Sequence, residues 1–161
     1  MNGLSIILKK NEGNGALKLE LSTPGEKRLW FIADAFRKGW TIEEVFVSCK
    51  VDYWFLHQIK DIVDDEKIIQ NSKLEQIDAN TLKSYKKKGF SDARIADLLE
   101  VDEQSVREHR YKLNVHPVFK RVDSCAAEFD STTNYLYSTY EEFNESEVSN
   151  NKKIVVLGLS L

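Results

Sequence analysis

Cys125, His116 and Asp123 are the residue types from which a thiol nucleophile, its base and an orienting carboxylate are built. Cys125 stands in the apolar run Cys125-Ala126-Ala127, and nothing near it in sequence forms an oxyanion hole. A buried structural thiol is the simpler reading. Metal ligation would draw on His57, His109 and His116 with scattered carboxylates. None of them stands in a His-x-x-x-His or Cys-x-x-Cys spacing, the form in which zinc sites usually declare themselves. Polar or capping histidines account for all three. No residue is therefore assigned a catalytic, cofactor-binding or metal-binding role.

Nucleic-acid recognition is the third chemistry the residue types allow. GFSDARIADLLEVDEQSVREHRYKL, from Gly89 to Leu113, has the form of a helix-turn-helix, with a turn at Val101-Asp102 and Val106 facing inward. In a DNA reader Glu103, Gln104, Ser105, Arg107 and Arg110 would face base edges. Three observations favour a packing unit that binds nothing. Residues 81–121 carry ten Lys or Arg against six Asp or Glu, an excess of only four. Glu103 and Glu108 would meet phosphates with like charge. The corresponding stretch in an earlier copy reads Tyr53-Trp54-Phe55-Leu56, a surface that wants burial and points to mutual packing of the copies. A tandem helix-turn-helix DNA binder stays as the alternative. Lys86-Lys87-Lys88 ends a helix, where cations meet the negative end of the dipole without needing a ligand.

The elements that position these residues are helices. Ser22-Thr23-Pro24-Gly25-Glu26 starts a helix with proline near its first turn, and Leu29, Ile32, Ala33 and Phe36 follow at helical spacing to a stop at Gly39. Thr41 and Glu44 form a capping box. Asp52 caps a long central helix carrying Trp54, Phe55, Ile59, Ile62 and Val63 on one broad face. Asp78, Ser91 and Asp102 cap three more, and Gly89 ends the first of them. A shift of 50 residues pairs Lys38 with Lys88, Gly39 with Gly89, Trp40 with Phe90 and Thr41 with Ser91. It also pairs Val45 with Ile95, Val51 with Val101 and Asp52 with Asp102. The chain thus reads as all-α, with two duplicated three-helix units in one bundle sharing a core. After His116-Pro117 comes an irregular segment and then an orphan C-terminal strand. Trp40 has two readings: the apolar contact that accompanies a glycine cap, or an exposed aromatic anchor of a subunit interface.

Composition agrees with a single helical domain. The chain has 161 residues, 42% of them hydrophobic, with only two prolines and seven glycines to interrupt a core. A net charge of -3 excludes polyanion binding by bulk charge. Cys49 and Cys125 read as reduced, buried thiols of a cytoplasmic protein. No run approaches the roughly 18 apolar residues of a membrane span. In Leu4–Leu8 the lysines follow the apolar stretch, the wrong order for a secretory signal. Residues 1–18 read as an unmatched leader or an appended remnant, outside the fold. Lys152-Lys153-Ile154-Val155-Val156-Leu157-Gly158 has the pattern of a buried parallel strand running into a glycine turn.

HPVFKRVDSCAAEF (116–129), YLYSTYEE (135–142) and KKIVVLG (152–158) resemble, in order and spacing, the large subunit of carbamoyl-phosphate synthase. So do RLWFIADAFRKG (28–39), VDYWFLHQI (51–59) and GFSDARIADLL (89–99), so the likeness covers about residues 21–158 in long, specific motifs. It implies that residues 19–150 are the helical oligomerisation and connection domain between two ATP-grasp halves, and 151–161 the first strand of the second half. It implies a parent ligase that makes carbamoyl phosphate from bicarbonate, glutamine-derived ammonia and two ATP for arginine and pyrimidine synthesis. That parent uses ATP, Mg2+ or Mn2+ and K+ at motifs outside this stretch, so no cofactor and no activity are expected of this chain alone. Implied partners are the other domains of the large subunit, a second copy and the small glutaminase subunit, with no nucleic acid and no membrane. On this resemblance Trp40 is the candidate subunit contact. His116, Lys120, Arg121, Asp123 and Glu128 are candidate contacts with the synthetase halves, although Asp123 and Glu128 have no role of their own beyond structural hydrogen bonding. Leu159-Ser160-Leu161 departs from the glycine-rich loop expected after Gly158, as a truncated strand would.

Overall fold

The computed structural model describes residues 14–123, 135–146, 150–152 and 154. The chain forms two compact units, Met1–Val115 and His116–Leu161.

The described residues of the first unit are helical. α1 (Asn14–Ser22) buries Leu17 and Leu21 completely, one turn apart on one face. The expectation that residues 1–18 stand outside the fold is therefore wrong at its end: two leucines four apart are a weak signal in sequence but fill the core. Ser22 to Glu26 does not start a helix either. It closes α1 and turns the chain into α2 (Arg28–Arg37), whose N-cap Lys27 makes no side-chain bond. Arg28 does the joining instead. Its Nε donates to the Leu21 carbonyl at 3.0 Å and its Nη2 to the Cys49 carbonyl, satisfying acceptors at the ends of two other helices. Six consecutive residues, Phe31 to Phe36, are buried, so α2 is enclosed on every side, while Leu29 in its first turn is exposed.

Both glycine stops form as the sequence predicts. Gly39 and Gly89 take φ of +87° and +94°, a region open to glycine at little cost. The bonds Trp40 N to Ala35 O and Gly39 N to Phe36 O recur 50 residues later as Phe90 N to Tyr85 O and Gly89 N to Lys86 O. α3 (Ile42–Cys49) opens on the full Thr41–Glu44 capping box, and α6 (Asp92–Leu99) on Ser91. Each ends on a left-handed residue, Lys50 and Glu100, again 50 apart. α4 (Tyr53–Gln70), α5 (Ala79–Lys87) and α7 (Glu103–Lys112) start at Asp52, Asp78 and Asp102, whose side chains accept a backbone N–H.

Duplication of the triplets is thus real: α2, α3 and α4 correspond to α5, α6 and α7. They do not, however, pool one apolar core. Buried residues gather in one cluster from Leu17 to Val63 and another from Ile69 to Val106. The 18-residue α4 runs through both, giving Leu56 and Val63 to the first and Ile69 to the second. Its buried stripe is Leu56, Val63, Glu66 and Ile69, with Ile59 and Ile62 half-buried. Trp54 lies two residues, about 200°, from Leu56 and so projects to solvent with Phe55, against expectation.

In the second unit the stretch expected to be irregular contains an antiparallel pair. β1 (Val118–Arg121) faces β2 (Leu136–Thr139), with Phe119 opposite Ser138 and Lys120 opposite Tyr137. Val118, Phe119, Tyr137 and Thr139 supply the β-branched and aromatic residues that strands favour. The proposed C-terminal strand falls almost wholly outside the described residues.

Candidate assembly surface

Trp40 is half-buried, and its place fits the reading of it as a cap contact. It is the residue after the glycine stop, and its ring packs against the first cluster, as a cap contact does. Its remaining surface lines a cleft of about 390 Å³ with Asn14 and Lys18 of α1 and Glu43, Glu44, Val47 and Ser48 of α3. The Lys18 ammonium sits 6.0 Å from the ring centroid. Its repeat counterpart Phe90 is buried and meets Tyr85 edge-on at 5.9 Å.

More apolar surface lies elsewhere on the first triplet. Trp54 is 62% exposed and Phe55 54% exposed, their rings in edge contact at 5.0 Å. Tyr53 stacks on Phe46 at 4.3 Å and is itself exposed, as are Leu29, Val47 and Trp30. Large aromatics rarely face water in such density without a partner.

Arg110 corrects the helix-turn-helix reading. It is buried, not presented to solvent: Nε and Nη2 donate to the Asp92 carboxylate at 3.0–3.2 Å, and Nη1 donates to the Val115 carbonyl at 3.1 Å. Lys86 reaches the same carboxylate at 2.8 Å. Burial alone would raise Asp92, but bonds from Lys86 and Arg110 outweigh it and hold the carboxyl below its usual value. Arg107 pairs along its own helix with Glu103 at 2.6 Å. Of the two arginines expected on a groove-reading face, only Arg107 is exposed.

The junction between the triplets escaped the sequence reading. Glu66 of α4, 3% exposed, accepts Arg37 Nε at 2.7 Å and Nη2 at 2.9 Å, and Arg94 Nη2 at 2.8 Å. Arg37 also donates to buried Asp34 at 2.8 Å. Burial would raise the Glu66 carboxyl, yet the two guanidiniums hold it below its ordinary value. Glu66 stands where a helical stripe calls for an apolar residue. That misplacement was its one signal in the sequence.

Of the residues singled out for neighbouring contacts, His116, Arg121 and Asp123 are exposed in the second unit. Lys120 pairs with Glu145 at 2.9 Å, and Glu145 also accepts the Arg121 N–H at 2.8 Å, bonds that lower its carboxyl. Asn144 accepts the Phe119 N–H at 3.0 Å, so the stretch 143–146 fastens β1. Glu128 and Cys125 lie outside the described residues, and with them the nucleophile reading. Cys49 is a buried free thiol. His109 Nε2 lies 2.8 Å from the Ile77 carbonyl, a structural contact, and His57 is exposed. Among the described residues no group of three or more His, Cys, Asp or Glu could hold a metal, and no helix is long and apolar enough to cross a membrane.

Comparison with known proteins gives this surface its context. The family profile described as carbamoyl-phosphate synthetase large chain, oligomerisation domain, matches residues 1–114. The carbamoyl phosphate synthase large chain of Neisseria meningitidis serogroup A is 50% identical over 156 residues, 97% of this chain and 15% of that protein. The large chain of Pseudomonas syringae pv. tomato is 52% identical over 151 residues, 94% of this chain and 14% of its own length. That of Haemophilus ducreyi is 45% identical over 149 residues, 92% and 14% respectively. This chain therefore spans about a seventh of the relatives it matches. The profile match includes residues 1–18. The chain belongs to the family of carbamoyl-phosphate synthetase large-chain oligomerisation domains.

Proposed function

We propose that the chain is the self-association and connecting domain of a carbamoyl-phosphate synthase large chain, and that its first triplet carries the contact with a second copy. The observation that carries this is the exposed aromatic set Tyr53, Trp54 and Phe55 on a triplet whose twin carries Glu103, Gln104 and Ser105 at the same places. Trp54 and Phe55 are the anchors. Trp40 contributes less, because part of its ring already closes the glycine cap. His116, Lys120, Arg121 and Asp123 of the second unit are the surface offered to neighbouring synthetase domains. In the whole enzyme, working in the cytoplasm with a small glutaminase subunit, ATP, Mg2+ or Mn2+ and K+ act on residues beyond these.

Sedimentation velocity of the chain over a wide concentration range tests the reading. Wild type forms reversible dimers or larger species. Trp54→Glu and Phe55→Glu shift them to monomer with unchanged circular dichroism, and Trp40→Glu does so partially. A folded wild type that stays monomeric, or association indifferent to all three changes, overturns it.

A further inference from the structure

We propose that Glu66 is a coupling lock, the residue that makes the two helix triplets unfold as one unit. The inference goes beyond self-association and rests on different residues. Apolar packing divides into two clusters, and α4 is the element that enters both. Glu66 sits on α4 between Val63 of the first cluster and Ile69 of the second. It takes Arg37 from α2 of one triplet and Arg94 from α6 of the other onto the same oxygen, Oε1.

That sharing is what separates a lock from an ordinary stabilising pair. Asp34, Arg37, Glu66 and Arg94 balance two negative charges against two positive ones in a largely dry place. Without the Glu66 carboxylate, Arg37 keeps Asp34 but Arg94 loses its carboxylate, so the charge attraction that joins the triplets here is gone. Arg94 Nε is buried with no hydrogen-bond partner, so its side chain has little else to hold it. The triad is also absent from the repeated pattern. Shifted by 50, Arg37 becomes Lys87 and Glu66 becomes His116, while Arg94 falls on Glu44, which serves a capping box. It therefore serves the junction and not the internal design of a triplet. The Asp65–Lys88 pair also crosses between triplets, but it is partly exposed and contributes little.

The chain carries its own probe, because Trp30, Trp40 and Trp54 all lie in the first triplet while far-UV circular dichroism counts both. Urea unfolding of wild type followed by the two signals gives superimposable curves. In Glu66→Met the curves separate, their midpoints differing by roughly 1 M urea. Arg94→Met removes only the arm to the second triplet and splits the curves in the same way should Glu66→Met fail to fold. Asp65→Asn, the control, keeps them superimposed. Curves that stay superimposed in the variants, that already separate in wild type, or that separate equally in Asp65→Asn overturn the proposal.

Discussion

Leu56 and Val106 occupy the same place in the two triplets, and both are wholly buried. The three residues before them are Tyr53-Trp54-Phe55 in the first triplet and Glu103-Gln104-Ser105 in the second. A second pair of places differs in the opposite sense. Phe36 and Ile42 give the first triplet an apolar corner, beside a cleft that Lys60 and Lys67 also line. Their counterparts Lys86 and Asp92, with Arg110 at the place of Lys60, fill the second triplet's corner with a closed ion cluster. One backbone plan thus tolerates either filling where the corner can be completed. The solvent-facing residues, free of that constraint, decide which copy has a surface fit for a partner.

The comparison can be broken first at its shared core. Ile32 and Leu82 are counterparts, both fully buried, so Ile32→Ala and Leu82→Ala should each cost about 3–4 kcal/mol in urea unfolding. A change absorbed in one triplet alone would show that the two cores are not equivalent. Next is the corner. Asp92→Ala removes the carboxylate that Lys86 and Arg110 share and should cost about 3 kcal/mol, whereas Ile42→Ala, at a half-buried site, should cost about 1 kcal/mol.

Acid titration sharpens the same contrast. Asp92 and Glu66 are both held below their ordinary values, so their contribution is complete above the unfolded carboxyl range of about pH 4. It is lost as pH falls through the lowered folded values. The urea midpoint should hold level from about pH 7 to about pH 5 and fall below about pH 4, less steeply in Asp92→Ala.

Caps come third. Thr41→Ala and Ser91→Ala should each cost about 1 kcal/mol, because each removes the oxygen that accepts the Glu44 or the Arg94 N–H, at 3.2 and 3.0 Å. The smallest effect on stability is at the surface. Trp54→Glu should change the unfolding free energy by less than about 0.5 kcal/mol while abolishing association, and Gln104→Ala should change neither.

Much of the local plan can be read from the chain because its causes act within a few residues. Thr41, Asp52, Asp78, Ser91 and Asp102 each satisfy an N–H two or three positions on, and Gly39 and Gly89 turn the chain by their own φ. The 50-residue period follows from those same signals, as does the half-buried place of Trp40 behind its glycine. α1 was missed because two leucines amid glycine and charge carry little periodicity, and the β1–β2 pair because its partners lie 15–21 residues apart.

What tertiary structure alone decided is which residues of similar hydropathy are hidden. Trp54 and Val63 both read as core, but helix geometry turns one outward once Leu56 is committed inward. Glu66 and Arg110 are charged, yet both are buried because partners 18–29 residues away compensate the loss of water. A cap is settled within one turn of chain. A buried charge is settled only when distant helices bring it an opposite one, and that is information the linear order of residues does not carry.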